Sequence, residues 1–314
     1  MYHMIINPAS RSGRGKQYWT ILENYLNDHN INYTAHISQK LGHVTEIMRE
    51  LTRSLDSNSE TIKVIVLGGD GTVNEALQGI CNFEKVHFSY IPTGSSNDFA
   101  RNFNISKDPI VNLEHILYSS QEKVIDLGKA TYDIGNGNSE SRYFVVSCGI
   151  GFDAAICEAV LHSKAKLFLN KLGLGKFVYL FNALKILANT ESIHASLTLE
   201  DSNTIIPVKN LLFLAGMNHK YEGGGFMFAP NADNSDELLD LCLVSNVSKL
   251  KVLRVIPTAF NGAHFRFKGV DSYRTKSYTI TTKAPMWVHT DGEILARTQT
   301  TTVSCIPKML HFFY

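Results

Sequence analysis

Three short segments combine glycine, hydroxyl-bearing and charged residues in patterns suited to a phosphorylated ligand. The most telling is Gly68-Gly69-Asp70-Gly71-Thr72. Glycine lets a backbone approach a ligand closely, and a helix N-terminus offers unpaired N–H groups to a phosphate. An aspartate there repels phosphate unless a cation lies between them, so Asp70 points to magnesium. A tight turn with Asp70 as a helix cap is the plainer alternative. The second segment is Asn7-Pro8-Ala9-Ser10-Arg11-Ser12-Gly13-Arg14-Gly15-Lys16, whose cations Arg11, Arg14 and Lys16 suffice to offset a triphosphate. Alone it reads as a solvated basic turn. The third, Pro92-Thr93-Gly94-Ser95-Ser96-Asn97-Asp98, supplies hydroxyls and amides, although Ser96 or Asn97 also suits a helix cap. The chain has no G-x-x-x-x-G-K-[ST] run and no protein-kinase motif set, which excludes both of those routes to a nucleotide.

Each segment follows an apolar run and precedes a helical pattern. His3 to Ile6, Asn32 to Ile37, Ile62 to Leu67 and Phe88 to Ile91 read as strands. Helical spacing appears at Tyr18, Ile21, Leu22 and Tyr25, from Val44 to Leu55, from Val73, and again at Asn97 and Asp108. Such alternation predicts a parallel sheet with helices on both faces, with the three segments gathered at its carboxyl edge. After about Asp126 the pattern changes to strands at Tyr143 to Cys148, Ile193 to Leu199, Val208 to Ala215, Leu239 to Val244, Tyr278 to Thr282 and Met286 to His289. Helical stretches there are fewer: Ala155 to Leu169, Phe177 to Ala188 and Leu250 to Phe260. A mainly β second domain is expected.

With 314 residues, two domains are the natural expectation. A hydrophobic content of 44% excludes a disordered chain, and a net charge of +1 gives no global field to attract nucleic acid. Five scattered cysteines without a CxxC pair argue against a disulfide framework and a structural zinc site, and fit a reducing compartment. The first residues lack the apolar core of a signal peptide, and no stretch is apolar for long enough to span a bilayer. A soluble, cytoplasmic protein is expected. His194 and His289 fall in strand patterns and read as structural.

Taken together, NPASRSGRG, GGDGTVNE and PTGSSNDFAR resemble the diacylglycerol kinase catalytic domain. That domain is shared by soluble bacterial diacylglycerol kinases, related lipid kinases, and sphingosine and ceramide kinases. The resemblance extends through Gly149 to Ala154, Gly223 to Phe226, Ala229 to Ala232 and Asp291-Gly292-Glu293. It implies an N-terminal α/β, Rossmann-like nucleotide-binding domain and a C-terminal, mainly antiparallel β-sandwich domain that takes the lipid acceptor. The boundaries it suggests are 1–126, completed by 300–314, and 127–299. It implies ATP and Mg²⁺ as cofactors and phosphoryl transfer to a lipid hydroxyl, with diacylglycerol first among acceptors. Another glycerolipid, a sphingoid base, an undecaprenol-like alcohol, an NAD-kinase-like soluble metabolite and a non-catalytic regulator are the alternatives.

Carried onto this sequence, the resemblance places Asn7, Pro8, Ala9, Ser10, Arg11, Ser38, Gly69, Asp70, Gly71, Thr72, Val73, Asn74, Glu75 and Ser95 around ATP. Asp70 would act through magnesium and Glu293 as general base. Without the resemblance, Asp291-Gly292 is simply a hairpin turn. Asp233, Asp236 and the carbonyl of Leu238 match a second, structural magnesium site, with Ser235-Asp236-Glu237 in place of the family's Asp-Asp-Gly; a solvated acidic turn is the alternative. Gly223-Gly224-Gly225 is expected to form a flexible loop over the acceptor site, with a β-bulge and turn as the alternative. Lys164, Lys166, Lys171, Lys176 and Lys185 punctuate a region free of acids between Glu158 and Glu191. They suit either transient, peripheral contact with anionic headgroups or the solvated faces of packed helices. The partners expected are ATP and a membrane lipid, without nucleic acid; a homodimer is left open.

Overall fold

The computed structural model describes residues 1–118, 121–161, 185–189 and 193–314. Lys164, Lys166, Lys171 and Lys176 lie outside them. Lys185 is described and exposed.

The first half alternates strand and helix. Strands β1 (Tyr2–Ile6), β2 (Tyr33–Ile37), β3 (Ile62–Gly68) and β4 (Val86–Pro92) lie parallel in the order β2-β1-β3-β4. Helices α1 (Ser10–Asp28), α2 (His43–Thr52), α3 (Asp70–Gly79), α4 (Asp98–Arg101) and α5 (Pro109–Tyr118) connect and cover them. The β3 sequence shows why both faces are covered. Val64 and Val66 enter one apolar cluster with Val73, Leu77 and Phe88, while Ile65 and Leu67 enter the opposite one with Trp19, Leu22 and Leu113. A strand apolar on both faces needs a helix layer on each side. Because the strands are parallel, the loops after β1, β2, β3 and β4 emerge at one edge.

The second half is antiparallel. Its strands are β5 (Glu122–Gly135), β6 (Asn138–Phe144), β7 (Ser147–Gly151), β8 (Ile193–Leu199), β9 (Thr204–Met217), β10 (Leu239–Ser245), β11 (Val270–Thr275), β12 (Ser277–Thr290) and β13 (Glu293–Phe313). Helix α6 (Phe152–Leu161) and helix α7 (Lys249–Val255) pack against them. Along β10, Leu239, Leu241 and Leu243 fill one core while Cys242 and Val244 fill another, as the alternation of a strand requires.

The two halves are joined by β13. It pairs with β12 as far as Ser304, lies along β5, and ends parallel to β4 at His311 and Phe312. Val303 belongs to the β-domain core and Leu310 to the first. The strand therefore changes domains further along than Thr300, at the irregularity between Ile306 and Leu310. Buried Asp126 holds this crossing, since its carboxylate accepts the N–H groups of Lys308 (2.8 Å) and Glu237 (2.7 Å).

Some elements differ from the sequence reading. Tyr143 to Cys148 is not one strand, because the N–H groups of Val145 and Val146 leave the sheet for the carboxylate of Asp291. The two strands expected before His289 are one, β12, with a register shift between Thr281 and Met286. Helix α7 stops at Val255 rather than Phe260, where Pro257 cannot extend an α-helix. The described part of the helix expected over Ala155 to Leu169 begins earlier, at Phe152.

Candidate active site

Three loops meet at the carboxyl edge of the parallel sheet. The Asn7 amide donates to Thr72 Oγ1 (3.0 Å), the hydroxyls of Ser10 and Thr93 are 2.6 Å apart, and Thr93 N–H donates to Gly68 O (2.7 Å). Ser38 N–H binds Ile6 O (2.8 Å), placing the loop after β2 beside them. Gly69 and Gly94 approach so closely that a Cβ on Gly94 would lie 2.9 Å from Gly69 Cα. Larger residues would separate the two loops. Near the start of α1 the helix is interrupted, because Arg11, Ser12 and Gly13 all have left-handed backbones, with φ of 46°, 57° and 95°, and the first loop extends through them. Two non-glycine residues in that region carry strain, which fits a loop shaped for a ligand. Arg11 and Lys16 are exposed there.

Asp70 does not cap its own helix; Gly69 occupies that position. Instead its carboxylate accepts the N–H groups of Asp98 (3.1 Å) and Phe99 (3.3 Å), at the start of α4. Sequence reasoning missed Asp98, and its signal was an acid at the close of the third loop, directly before a helix. The residue is only 6% exposed and its Oδ1 has no hydrogen-bond partner, with Arg101 Nε 3.7 Å away. Burial pushes the Asp70 carboxyl up to about 7, with the charge of Asp98 as the next cause. The Asp98 carboxyl rises to about 6, again by burial first. Two neighbouring acids that resist ionising together, Asp70 half-buried and Asp98 buried with an orphaned oxygen, fit a divalent cation.

The third component comes from the far half of the chain. Asp291 (φ 52°) and Gly292 (φ 85°) form the turn between β12 and β13 and aim Glu293 at the glycine loop. A Cβ on Gly71 would sit 2.5 Å from Glu293 Oε1, so any larger residue there would have to displace that carboxylate. Asp291 anchors the turn. It accepts N–H groups from Val145 (3.0 Å), Val146 (2.8 Å) and Ser147 (3.1 Å), and the Asn74 amide (2.8 Å). Asp291→Ala would leave these buried donors unmet, and a loss of about 3 kcal/mol is expected, read as a lower urea midpoint.

Asn7, Pro8, Ala9, Ser10, Arg11, Ser38, Gly69, Gly71, Thr72 and Ser95 therefore lie at the edge with Asp70. The side chains of Val73 and Asn74 do not. Val73 is fully buried in the core, and the Asn74 amide is occupied by Arg142 Nε (2.8 Å), Tyr143 O (3.2 Å) and Asp291. Glu75, half-buried, is one residue further along α3, and its carbonyl accepts the Thr45 hydroxyl (2.7 Å).

Residues 1–130 match the family model of the diacylglycerol kinase catalytic domain, and residues 145–314 match that of the YegS C-terminal NAD kinase beta sandwich-like domain. A diacylglycerol kinase of Mycobacterium tuberculosis is 30% identical over 257 residues, which is 80% of this chain and 76% of the relative. The chain belongs to the diacylglycerol kinase family. A diacylglycerol kinase of Staphylococcus carnosus (strain TM300) is 28% identical over 261 residues, covering 83% and 78% of the two chains. The crystal structure of a diacylglycerol kinase from Bacillus anthracis str. Sterne shares the fold, with a TM-score of 0.72 at 22% identity over 100% of this chain and 96% of that one. The protein is thus a lipid kinase by family, with the expected α/β and β-sandwich halves. Among its described residues no helix is long and apolar enough to cross a membrane.

Two further features of this diacylglycerol kinase family member flank the site. Gly223, Gly224 and Gly225 have φ of 63°, 84° and 120°, and the Gly224 N–H donates to Asp98 Oδ2 (2.9 Å). The glycine-rich loop is thus docked on the third loop. Behind Glu293, buried His289 accepts the Gly292 N–H at Nδ1 (3.1 Å). Its Nε2 lies 3.3 Å from Asp153 Oδ2 and 3.2 Å from Glu222 Oε1. These three ligand atoms lie within 4.8 Å of one another, a spacing a metal would accept. With Nδ1 acting as acceptor, however, Nε2 must carry the proton and donates to the carboxylates. The trio therefore orients the turn that carries Glu293.

The expected structural magnesium loop is arranged differently. Asp233 Oδ1 accepts from the Ser235 hydroxyl (2.7 Å) and N–H (3.1 Å), with Lys123 Nζ 3.7 Å away. Asp236 pairs with Arg274 through Oδ2, and its Oδ1 accepts the Leu238 N–H (3.1 Å). The Ser235 hydroxyl, first, and Lys123 hold the Asp233 carboxyl below the usual range. Lys123 thus lies beside Asp233 and Arg274 beside Asp236, the two acids read as ligands of a second ion.

Proposed function

We propose that this protein transfers the γ-phosphate of ATP to the hydroxyl of a membrane lipid, diacylglycerol above all, and releases phosphatidic acid. One observation carries the reading: the Glu293 carboxylate, supplied by the β half, is held against Gly71 in the glycine loop of the other half. The Asn7 to Lys16 loop, the N-terminus of α3, and the Thr93 and Ser95 hydroxyls offer cations, N–H groups and O–H groups to the triphosphate. Asp70 and Asp98 would hold magnesium, which when bound neutralises charge on the phosphates. Glu293 takes the proton of the lipid hydroxyl as its oxygen bonds to the γ-phosphorus, and the bond to the β–γ bridging oxygen breaks to release ADP.

The test is incubation with γ-labelled ATP and a total lipid extract, with Mg²⁺ and with EDTA, followed by identification of the labelled product. Labelled phosphatidic acid that disappears with EDTA is expected. Label in a different lipid would reassign the acceptor. Label in NADP when NAD is offered would move the protein to soluble-metabolite phosphorylation. No ATP consumption with any acceptor would leave a binding module.

A further inference from the structure

The residues between β10 and β11 are charged in one sense only. From Ser245 to Val270 the chain contains Lys249, Lys251, Arg254, Arg266 and Lys268, and no aspartate or glutamate. Helix α7 begins this stretch. Its inward stripe is complete, since Val252 and Val255 are buried in the core formed with Phe213 and Val244. Two leucines remain on the outside: Leu250 is 75% exposed and Leu253 42%. They are three apart and so share one helix face. Arg254 lies beside them and is exposed, as are Arg266 and Lys268. Phe260, beyond the end of the helix, is 54% exposed. Core packing explains none of these outward apolar residues.

This face is continuous with the candidate active site. The rings of Phe260 and Phe226 stack at 4.2 Å, and Met227 N–H donates to Ala259 O (2.7 Å). Phe226 directly follows the glycine-rich loop whose Gly224 N–H is bound to Asp98. A face that is apolar at its centre, carries only basic charges in its own segment and lies one loop from the cleft matches the chemistry of an anionic bilayer. We infer that the arc from Lys249 to Lys268 is the surface on which this protein docks to anionic membranes, with Leu250, Leu253 and Phe260 seated among the headgroups. The inference rests on the proposed membrane-lipid acceptor, which must reach the cleft from such a surface.

Each basic residue near an anionic surface contributes roughly fivefold to partitioning, and exposed leucines add an apolar component. The test uses the full chain and sedimentation with acceptor-free phosphatidylcholine vesicles, made with or without phosphatidylglycerol. Wild type is expected to bind the anionic vesicles and to dissociate as salt rises. Leu250→Ser with Leu253→Ser should weaken binding about tenfold, and Arg254→Glu with Arg266→Glu and Lys268→Glu by more than about a hundredfold. All these residues are exposed, so melting temperatures should not change, and turnover of a short-chain, water-soluble diacylglycerol should be retained. Wild-type binding by either variant would overturn the inference, as would equal, salt-insensitive binding to neutral vesicles. So would a wild-type dimer that the leucine substitutions dissociate, since the face would then be a contact between copies. Because the vesicles contain no acceptor, failure of docking is distinguishable from failure of the kinase reading, which the lipid-extract assay tests separately.

Discussion

Glu293→Gln is expected to lower kcat by about 10³-fold while leaving the KM for ATP within about twofold. A lipid alcohol ionises far above neutral pH, so it attacks phosphorus well only if a carboxylate takes its proton as the new bond forms. Glutamine keeps the shape and hydrogen-bonding reach of glutamate but cannot accept that proton. The remaining rate would come from positioning and electrostatics, which survive the exchange. A second substitution separates charge from position. In Gly71→Ala the carboxylate remains, but the new Cβ would lie 2.5 Å from Glu293 Oε1 and must displace it. A misplacement of about 1 Å costs on the order of 10²-fold, so Gly71→Ala should imitate much of the Glu293→Gln defect. Both are measured as initial rates on diacylglycerol in mixed micelles, with ATP binding measured alongside. A near-normal kcat in Glu293→Gln would remove Glu293 from the chemistry.

The parts of this molecule legible in the sequence are those with a short-range cause. Ile62 to Leu67 announces a strand buried on both faces, and glycine, hydroxyl and charged residues after such strands announce a ligand edge. The three loops do meet there, tied by Asn7 to Thr72 and by Ser10 to Thr93. What was not legible has long-range causes. Nothing near Asp70 says that its carboxylate would cap a helix beginning 28 residues later. Nothing near Asn74 says that its amide would be spent on Arg142 and on an aspartate 217 positions away. Strand β5 escaped notice because Lys123, Asp126, Lys129 and Asp133 break its apolar pattern, yet Asp126 is buried and holds the domain crossing. The hairpin and catalytic readings of Asp291-Gly292-Glu293 competed in the sequence, whereas the structure makes the hairpin the device that presents Glu293.

Asp70→Asn is expected to reduce turnover to a similar depth, on the order of 10³-fold, and pH distinguishes its origin from that of Glu293→Gln. Burial, and next the charge of Asp98, push the folded Asp70 carboxyl up from its ordinary 3.8 to about 7. A group whose pKa rises on folding binds its proton more tightly in the folded state. Its stabilising effect is complete below about pH 4 and is lost as pH rises through about 7. The metal-free wild type should therefore lose stability from pH 5 to 8, followed as the urea midpoint, and Asp70→Asn should flatten that decline. Magnesium competes with the same proton, so the Mg²⁺ concentration giving half-maximal activity should rise as pH falls below about 7. Asp98→Asn removes the neighbouring charge, which eases ionisation of Asp70 and should move this dependence to lower pH. Identical midpoints at both pH values in wild type and both variants would mean that the pair holds no proton, and the argument for a cation between these acids would fall. If the dependence moves as expected, the orphaned Asp98 oxygen and the crowded Asp70 carboxylate share one cause: two acids folded into a space that suits a cation better than a proton.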